Sequence, residues 1–338
     1  MNFFVLKSFQ NPKLAVLALL FTLLGGNVMA CDICGCFMGI TPYDNQSSIA
    51  FLYRYRSFSG YQGQSHPVFP EGSKFFRLGS QTDGEISHHN SDPSDYEVYR
   101  ALEVRARYFL SQRMELNAIL PYNSNSEQYN GNLNTVAGIG DANLYGGYHL
   151  LRKLDRKLNQ RLIVGLGVKL PTGKSDVTNY KGLRYSTLTQ TGTGSTDGFA
   201  YFNYLAGYKK LGLSLSGTYK VNGENRDEES IANSTTGFLN LFYNQSLNTS
   251  LKMVPSVQFA YEYSAGEKYK GVKTGEHVMN NLMAGAGLDF FVKNVTLNMA
   301  YQVKAWTVKD DHPQPAGRVV LGVTYNFNQL YYALNPRK

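Results

Sequence analysis

The sequence predicts an all-β fold, a transmembrane antiparallel β-barrel of about twelve strands with short periplasmic turns and long external loops. Three observations predict it. The chain opens on an export segment and holds no later apolar run of the roughly 18 to 20 residues that a spanning helix needs. Its composition, with 25 tyrosines, 33 glycines and only 17% charged residues, is that of barrels rather than helices. Finally, a period-two alternation of apolar and polar residues returns along the whole chain without an intervening linker.

The export segment places Lys7 and Lys13 ahead of an apolar run, 14–24, followed by Gly25, Gly26 and the small-residue ending Val28-Met29-Ala30. A positive start, a short apolar core and small residues before cleavage are the marks of a secretory signal. The expected organisation is a signal at 1–30, a cysteine-containing periplasmic segment at 31–46, a barrel at 47–328 and a periplasmic tail at 329–338. The formal charge of +8 includes Lys7 and Lys13, and the positive residues of the mature chain are scattered. Scattered charge and export both argue against a nucleic-acid partner. The expected surroundings are outer-membrane lipid and a small-molecule solute. A closed barrel needs no partner to cover its edges, so a monomer is the default expectation.

Each strand is justified by alternation, since side chains along a strand point to opposite faces. Ile49, Phe51, Tyr53 and Tyr55 oppose Arg54 and Arg56, and Leu102, Val104, Ala106 and Tyr108 oppose Glu103, Arg105 and Arg107. Ala142, Leu144, Gly146, Tyr148 and Leu150 oppose Asn143, Tyr145 and His149. The aliphatic face Leu162, Val164, Leu166, Val168, Leu170 follows, then Leu211, Leu213, Leu215, Gly217, Tyr219 against Ser214, Ser216, Thr218 and Lys220. Near the end come Val295, Leu297, Met299, Tyr301, Val303 and the cleanest run, 319–327, broken only by Val320. Weaker segments lie near 114–127, 197–208, 236–246, 250–264 and 276–291. A soluble β-sandwich also shows period two, but its strands usually run only about 5 or 6 residues.

The connections alternate in length. Long loops are expected at 61–94 and 173–196, a medium one at 128–138, and polar loops at 222–234, 265–275 and 308–316. Short turns are expected at 111–113, Lys209-Lys210, 247–249 and Lys293-Asn294, and a modest turn at 152–160. Both termini then fall on the periplasmic side, and aromatics such as Tyr53, Tyr55, Tyr261, Tyr263, Tyr325 and Phe327 mark strand ends where interfacial girdles sit.

Four stretches in order carry a family resemblance: Gly138 to Leu144 (GIGDANL), Gly167 to Lys174 (GVKLPTGK), Thr191 to Asp197 (TGTGSTD), and Leu213 to Gly223. Over 138–327 the chain resembles the phenol-degradation-pathway family of outer-membrane transporters, loosely akin to fatty-acid transporter barrels. The resemblance implies a passive outer-membrane channel, a porin-like transporter with no fixed solute. Asp141 reads either as a pore-lining charge or as an Asx-turn residue. Pro171-Thr172-Gly173 reads as turn chemistry ending a strand.

Parity turns Arg54, Arg56, Arg105, Arg107, Asp141 and Lys169 to the lumen, with Glu103 beside the arginines. Two readings follow. Four arginines on neighbouring strands form a basic wall that attracts anions, or the arginines pair with Glu103, Asp141, Glu262 and Asp289 to rigidify the interior. About twelve strands leave only a narrow passage in either case.

All three cysteines, Cys31, Cys34 and Cys36, lie within six residues of one another. Three readings are open for them. Val28-Met29-Ala30-Cys31 partly resembles a lipoprotein cleavage box, which makes Cys31 an acylation site. The Cys-x-x-Cys-x-Cys spacing offers soft thiolates to Cu(I) or Zn(II), making the protein a copper-handling one. A structural or mixed disulfide is the plain reading in an oxidising compartment. Loop histidines His66, His88, His89 and His312 read as solvated, with the His88-His89 pair open to metal. No catalytic motif is present, so a non-enzyme is expected.

Overall fold

The computed structural model describes residues 46–59, 96–129, 132–154, 158–179, 182, 184–273, 278–307 and 314–327. The signal, Cys31, Cys34, Cys36, the loop histidines named above and the tail at 329–338 lie outside the described residues.

The strands are β1 (Ser47–Ser59), β2 (Tyr96–Phe109), β3 (Met114–Tyr129), β4 (Asn132–Ile139), β5 (Ala142–Leu154), β6 (Leu158–Leu170), β7 (Asp197–Tyr208), β8 (Leu211–Val221), β9 (Glu229–Ile231), β10 (Ser234–Tyr243), β11 (Gln245–Ser246), β12 (Leu251–Ala265), β13 (Glu267–Tyr269), β14 (Val272–Lys273), β15 (Val278–Val292), β16 (Val295–Thr307) and β17 (Gln314–Phe327). No helix among the described residues is long and apolar enough to cross a membrane.

Each long strand pairs antiparallel with its neighbours in sequence, β10 pairs with β12, and β1 pairs with β17, so the sheet closes on itself. β4 and β5 together make one wall strand, since both pair with β3, and β11 continues β10 along β12. The described residues thus form a closed barrel of twelve strands. Closure gives the ring strands a partner on either side, which is what lets them stand in hydrocarbon, while β4 pairs with β3 alone.

The burial pattern is that of a water-soluble protein turned inside out. Phe51, Leu102, Val104, Leu116, Leu144, Leu150, Val257, Leu297, Leu321 and Val323 are exposed, and Leu166 on β6 is 72% exposed. The alternating positions, among them Arg56, Glu103, Asn117, Lys169, Lys220, Gln258, Glu262 and Arg318, are buried. An apolar belt with a polar interior is stable only with lipid outside. The chain is a bacterial outer-membrane barrel in architecture.

Short turns and both barrel ends, Ser47 and Phe327, share one mouth, the periplasmic one by the loop-length rule. In its two-residue hairpins Lys209 and Lys293 take φ of 55° and 51°, the positive values that match the twist of the flanking strands.

Two expectations about loops need correction. The medium loop expected at 128–138 is mostly strand: β3 runs on to Tyr129 and β4 pairs with it from Asn132 to Ile139. Its Gln, Asn and Thr residues gave no apolar face to read because this hairpin rises toward the outer mouth. The polar loops at 222–234 and 265–275 contain β9, β13 and β14, which form a separate three-stranded sheet.

Between β4 and β5 the wall breaks at Gly140-Asp141, opposite Pro121 of β3. Gly140 N–H donates to Pro121 O at 2.8 Å. Pro121 has no N–H to return, so the ladder cannot continue there.

Candidate functional site

Among the described residues the lumen carries two clusters of ions and, beside the second, an aromatic patch. The first cluster lies on β1, β2, β12, β16 and β17. Arg54 Nη2 is 2.9 Å from Glu103 Oε1, and Arg105 pairs with the other oxygen of the same carboxylate. In register Glu103 sits opposite Leu52, so it falls between Arg54 above and Arg105 below. Arg56 reaches across the interior instead, with Nη2 2.8 Å from Glu262 Oε2 on β12, and Arg318 of β17 pairs with that carboxylate too. Arg318 also donates to Gln302, which donates to Gln258 at 2.9 Å. Since β15, β16 and β17 lie between β12 and β1 in the ring, the Arg56–Glu262 pair is a chord across one side of the lumen. Arg107 stands apart from these, its guanidinium 5.8 Å from the Phe109 ring centroid near the periplasmic mouth.

The second cluster joins β5, β6, β7 and β8. Lys169 Nζ lies 3.0 Å from Asp141 Oδ2 and 2.7 Å from Asp197 Oδ2, and Lys220 Nζ lies 2.7 Å from the same Asp197 oxygen. All four side chains are buried. Buried charges require this density of partners, because desolvation otherwise outweighs attraction. The backbone completes the shell: Asp141 accepts from Gly173 N–H at 3.0 Å and Thr193 N–H at 2.9 Å, and Asp197 accepts from Ser195 Oγ–H at 2.8 Å and Gly223 N–H at 3.1 Å. Asp141 is therefore a lumenal carboxylate and a loop anchor at once. Gly173 and Gly192 cross so closely that a Cβ on Gly192 would lie 2.7 Å from the Gly173 Cα, so both positions must lack a side chain.

Beside this cluster, Tyr145 packs against Phe199 and Tyr201 with ring centroids 5.8 and 5.4 Å apart. The rings lie over Gly165 and Gly167, where a Cβ would enter the Tyr201 or Phe199 ring, and the Tyr201 hydroxyl lies over Gly147. The glycines make the wall flat enough to seat aromatic faces. Nearer the periplasm, His149 Nε2 is 3.3 Å from Glu115 Oε2, and Val254 and Phe291 pack with Leu205 and Phe242 into an apolar ring of side chains.

The residues picked from parity, Arg54, Arg56, Glu103, Arg105, Arg107, Asp141 and Lys169, all take interior positions. The structure brings Arg54, Glu103 and Arg105 together and joins Asp141 to Lys169. It separates Arg56 and Arg107 from that group. Sequence reasoning missed Arg318, Lys220 and the role of Asp197. Their signal was present: in an up-and-down barrel the upper ends of β6, β7 and β8 are adjacent, and Lys169, Asp197 and Lys220 share interior parity there.

A family model described as "Putative MetA-pathway of phenol degradation" matches residues 93–321. Among solved structures the chain is similar to an outer membrane channel from Pseudomonas putida F1, with 15% identity, a TM-score of 0.61, and coverage of 86% of this chain and 100% of that one. It is also similar to the β domain of the Bordetella autotransporter BrkA, with 13% identity, a TM-score of 0.45, and coverage of 84% and 100%. The translocator domain of autotransporter NalP from Neisseria meningitidis follows at 12% identity and a TM-score of 0.42, with coverage of 94% and 98%. The first likeness establishes the fold; the weaker two carry no argument. No curated protein sequence matches the chain.

Proposed function

The chain belongs to the phenol-degradation-pathway family of outer-membrane barrels, and on that premise we propose that it is a passive channel, not an enzyme, for a small anionic or aromatic solute. One observation carries the reading. Arg54 and Arg105, the two guanidiniums that flank Glu103, keep 18% and 13% of their side chains exposed to the lumen, while Arg56 and Arg318 are sealed around Glu262. A solute passing this wall meets two fixed cationic planes that attract a carboxylate or phenolate by charge. The Tyr145, Phe199 and Tyr201 patch supports an aromatic body, since rings prefer edge-to-face or offset contacts at these separations. A solute gradient supplies the driving force.

Planar-bilayer recording with chloride, then benzoate, as the permeant anion tests this. The expected result is a conducting channel with anion preference and a current carried by benzoate. A folded barrel silent to every small anion and aromatic acid overturns the channel reading.

A further inference from the structure

We infer that residues 186–193, folded back into the barrel between β6 and β7, set the size limit of the channel, and that Asn125 and Glu127 hold them there. This rests on the channel reading above and adds to it the element that defines the narrowest section.

The chain leaves the wall after Leu170 and rejoins it at Asp197. A loop at the outer mouth normally projects into water. Here the returning limb turns inward: Ser186, Thr189, Gln190 and Thr191 are all buried. Its partners are alternate residues of β3, and they share interior parity. Asn123 Nδ2 donates to Thr191 O at 2.9 Å, and Asn125 Nδ2 donates to Gln190 O at 2.9 Å. Thr189 Oγ1 donates to Glu127 Oε2 at 2.5 Å, and Ser186 Oγ approaches the same oxygen at 3.5 Å. Between β7, where the limb ends, and β3, where it docks, stand β6 and β5. At the height of the docking, Asn123 to Glu127 pair with Gly138 to Asn134 of β4, and Gly138 and Gly140 lie against Thr191, so the segment spans from β7 to the inner face of the β3–β4 hairpin and occupies cross-section that the wall alone would leave open.

The base of the loop and its tip are held by different means. At the base, Asp141 accepts from Gly173 and Thr193, and Gly192 N–H donates to Lys174 O at 2.9 Å. Arg184 ties the preceding turn to the outer loops, with Nη1 3.2 Å from Asp227 and 2.8 Å from Glu229. At the tip, Asn125 and Glu127 are the β3 side chains that carry the docking of 186–190. Removing them frees the tip while the buried ion cluster at the base stays intact.

The experiment compares the full-length protein with the Asn125→Ala, Glu127→Ala double variant, and uses Glu127→Gln as the control for lost charge. Liposome swelling with uncharged sugars of rising size reads the size limit without interference from lumenal charge, and single-channel conductance is recorded in parallel. The expected result is that the double variant admits a larger sugar than the unmodified protein and at least doubles the conductance, whereas Glu127→Gln keeps the original size limit. An unmodified protein that conducts, with a folded double variant of unchanged size limit and conductance, overturns the inference and leaves the channel reading standing. If none of the three passes ions or sugars, the channel reading itself falls and takes the inference with it. If the double variant does not fold, Leu188→Cys on a background with Cys31, Cys34 and Cys36 changed to serine decides. A bulky charged thiol reagent then lowers the current if the segment lines the narrowest section, and unaltered current overturns the inference.

Discussion

The ammonium of Lys169 lies 2.7 Å from Oδ2 of Asp197, and solvent reaches neither side chain. The pair links the last residues of β6 to the first of β7 across the mouth of the loop they bracket. With Asp141 and Lys220 it forms a closed group of two cations and two anions.

Lys169→Met removes one charge from that group and leaves Asp141 with no lysine and Asp197 with one. Breaking a buried pair by deleting one partner costs about 3–5 kcal/mol. The expected outcome is a fall of that size in the free energy of folding into lipid vesicles, measured by urea titration. A variant as stable as the parent would show that the cluster does not hold the barrel together.

Glu103→Gln takes one negative charge from between Arg54 and Arg105 and keeps one of the two acceptor oxygens that they share. The lumen becomes more positive, so the reversal potential in a salt gradient shifts toward greater anion preference. Arg105→Gln shifts it the other way. Both shifts shrink as salt rises, because the Debye length falls from about 10 Å at 0.1 M to about 3 Å at 1 M. Equal selectivity in all three proteins would remove this wall from the permeation path.

Leu166 stands on the lipid face of β6 and is the most exposed large apolar residue among the described residues of the barrel wall. Leu166→Arg is expected to cost about 2–4 kcal/mol in vesicles, the penalty for a charge at the bilayer midplane. Lys209→Glu, in a periplasmic turn, is expected to change stability by less than about 0.5 kcal/mol. Similar effects of the two would contradict the placement of the apolar belt.

Gly167→Ala drives a methyl into the Phe199 ring and against the Tyr145 Cβ, 2.5 Å from where the new carbon would sit. Overpacking of this kind costs about 1–3 kcal/mol. The Gly167→Ala, Phe199→Ala double variant is expected to recover part of the loss relative to the sum of the single changes, as residues in contact are not additive. Strict additivity in the urea titrations would show that ring and glycine do not touch.

Much of the barrel was legible because lipid forces a simple rule on the wall. In β17, Val319, Leu321, Val323 and Tyr325 alternate with interior positions, and nothing but a strand accommodates that. Where lipid is absent the rule lapses, and β4, with Asn132, Asn134 and Thr135 above the belt, read as loop. Arg54, Glu103 and Arg105 could be grouped because β1 and β2 are consecutive wall strands. Glu262 was named as a partner for the lumenal arginines, but that Arg56 is the one to reach it was not legible, since a chord between strands far apart in sequence depends on barrel size and stagger, which alternation does not encode. The loop 171–196 was opaque for another reason: its position follows from individual hydrogen bonds to Asn123, Asn125 and Glu127, each made by a residue type common in any loop.

The seam between β1 and β17 has an implication for how the protein comes into being. Ser47 to Ser59 find their second neighbour in Gln314 to Phe327, so the first wall strand to be synthesised waits for the last. Until then two long ribbons of unpaired amides stand open, and they are tolerable only while something shields them from hydrocarbon. A ribosome product ending before residue 314 would lack the closing strand altogether and would be a target for degradation, not a smaller pore. Assembly of this wall is therefore a single commitment made at the C-terminal end of the chain.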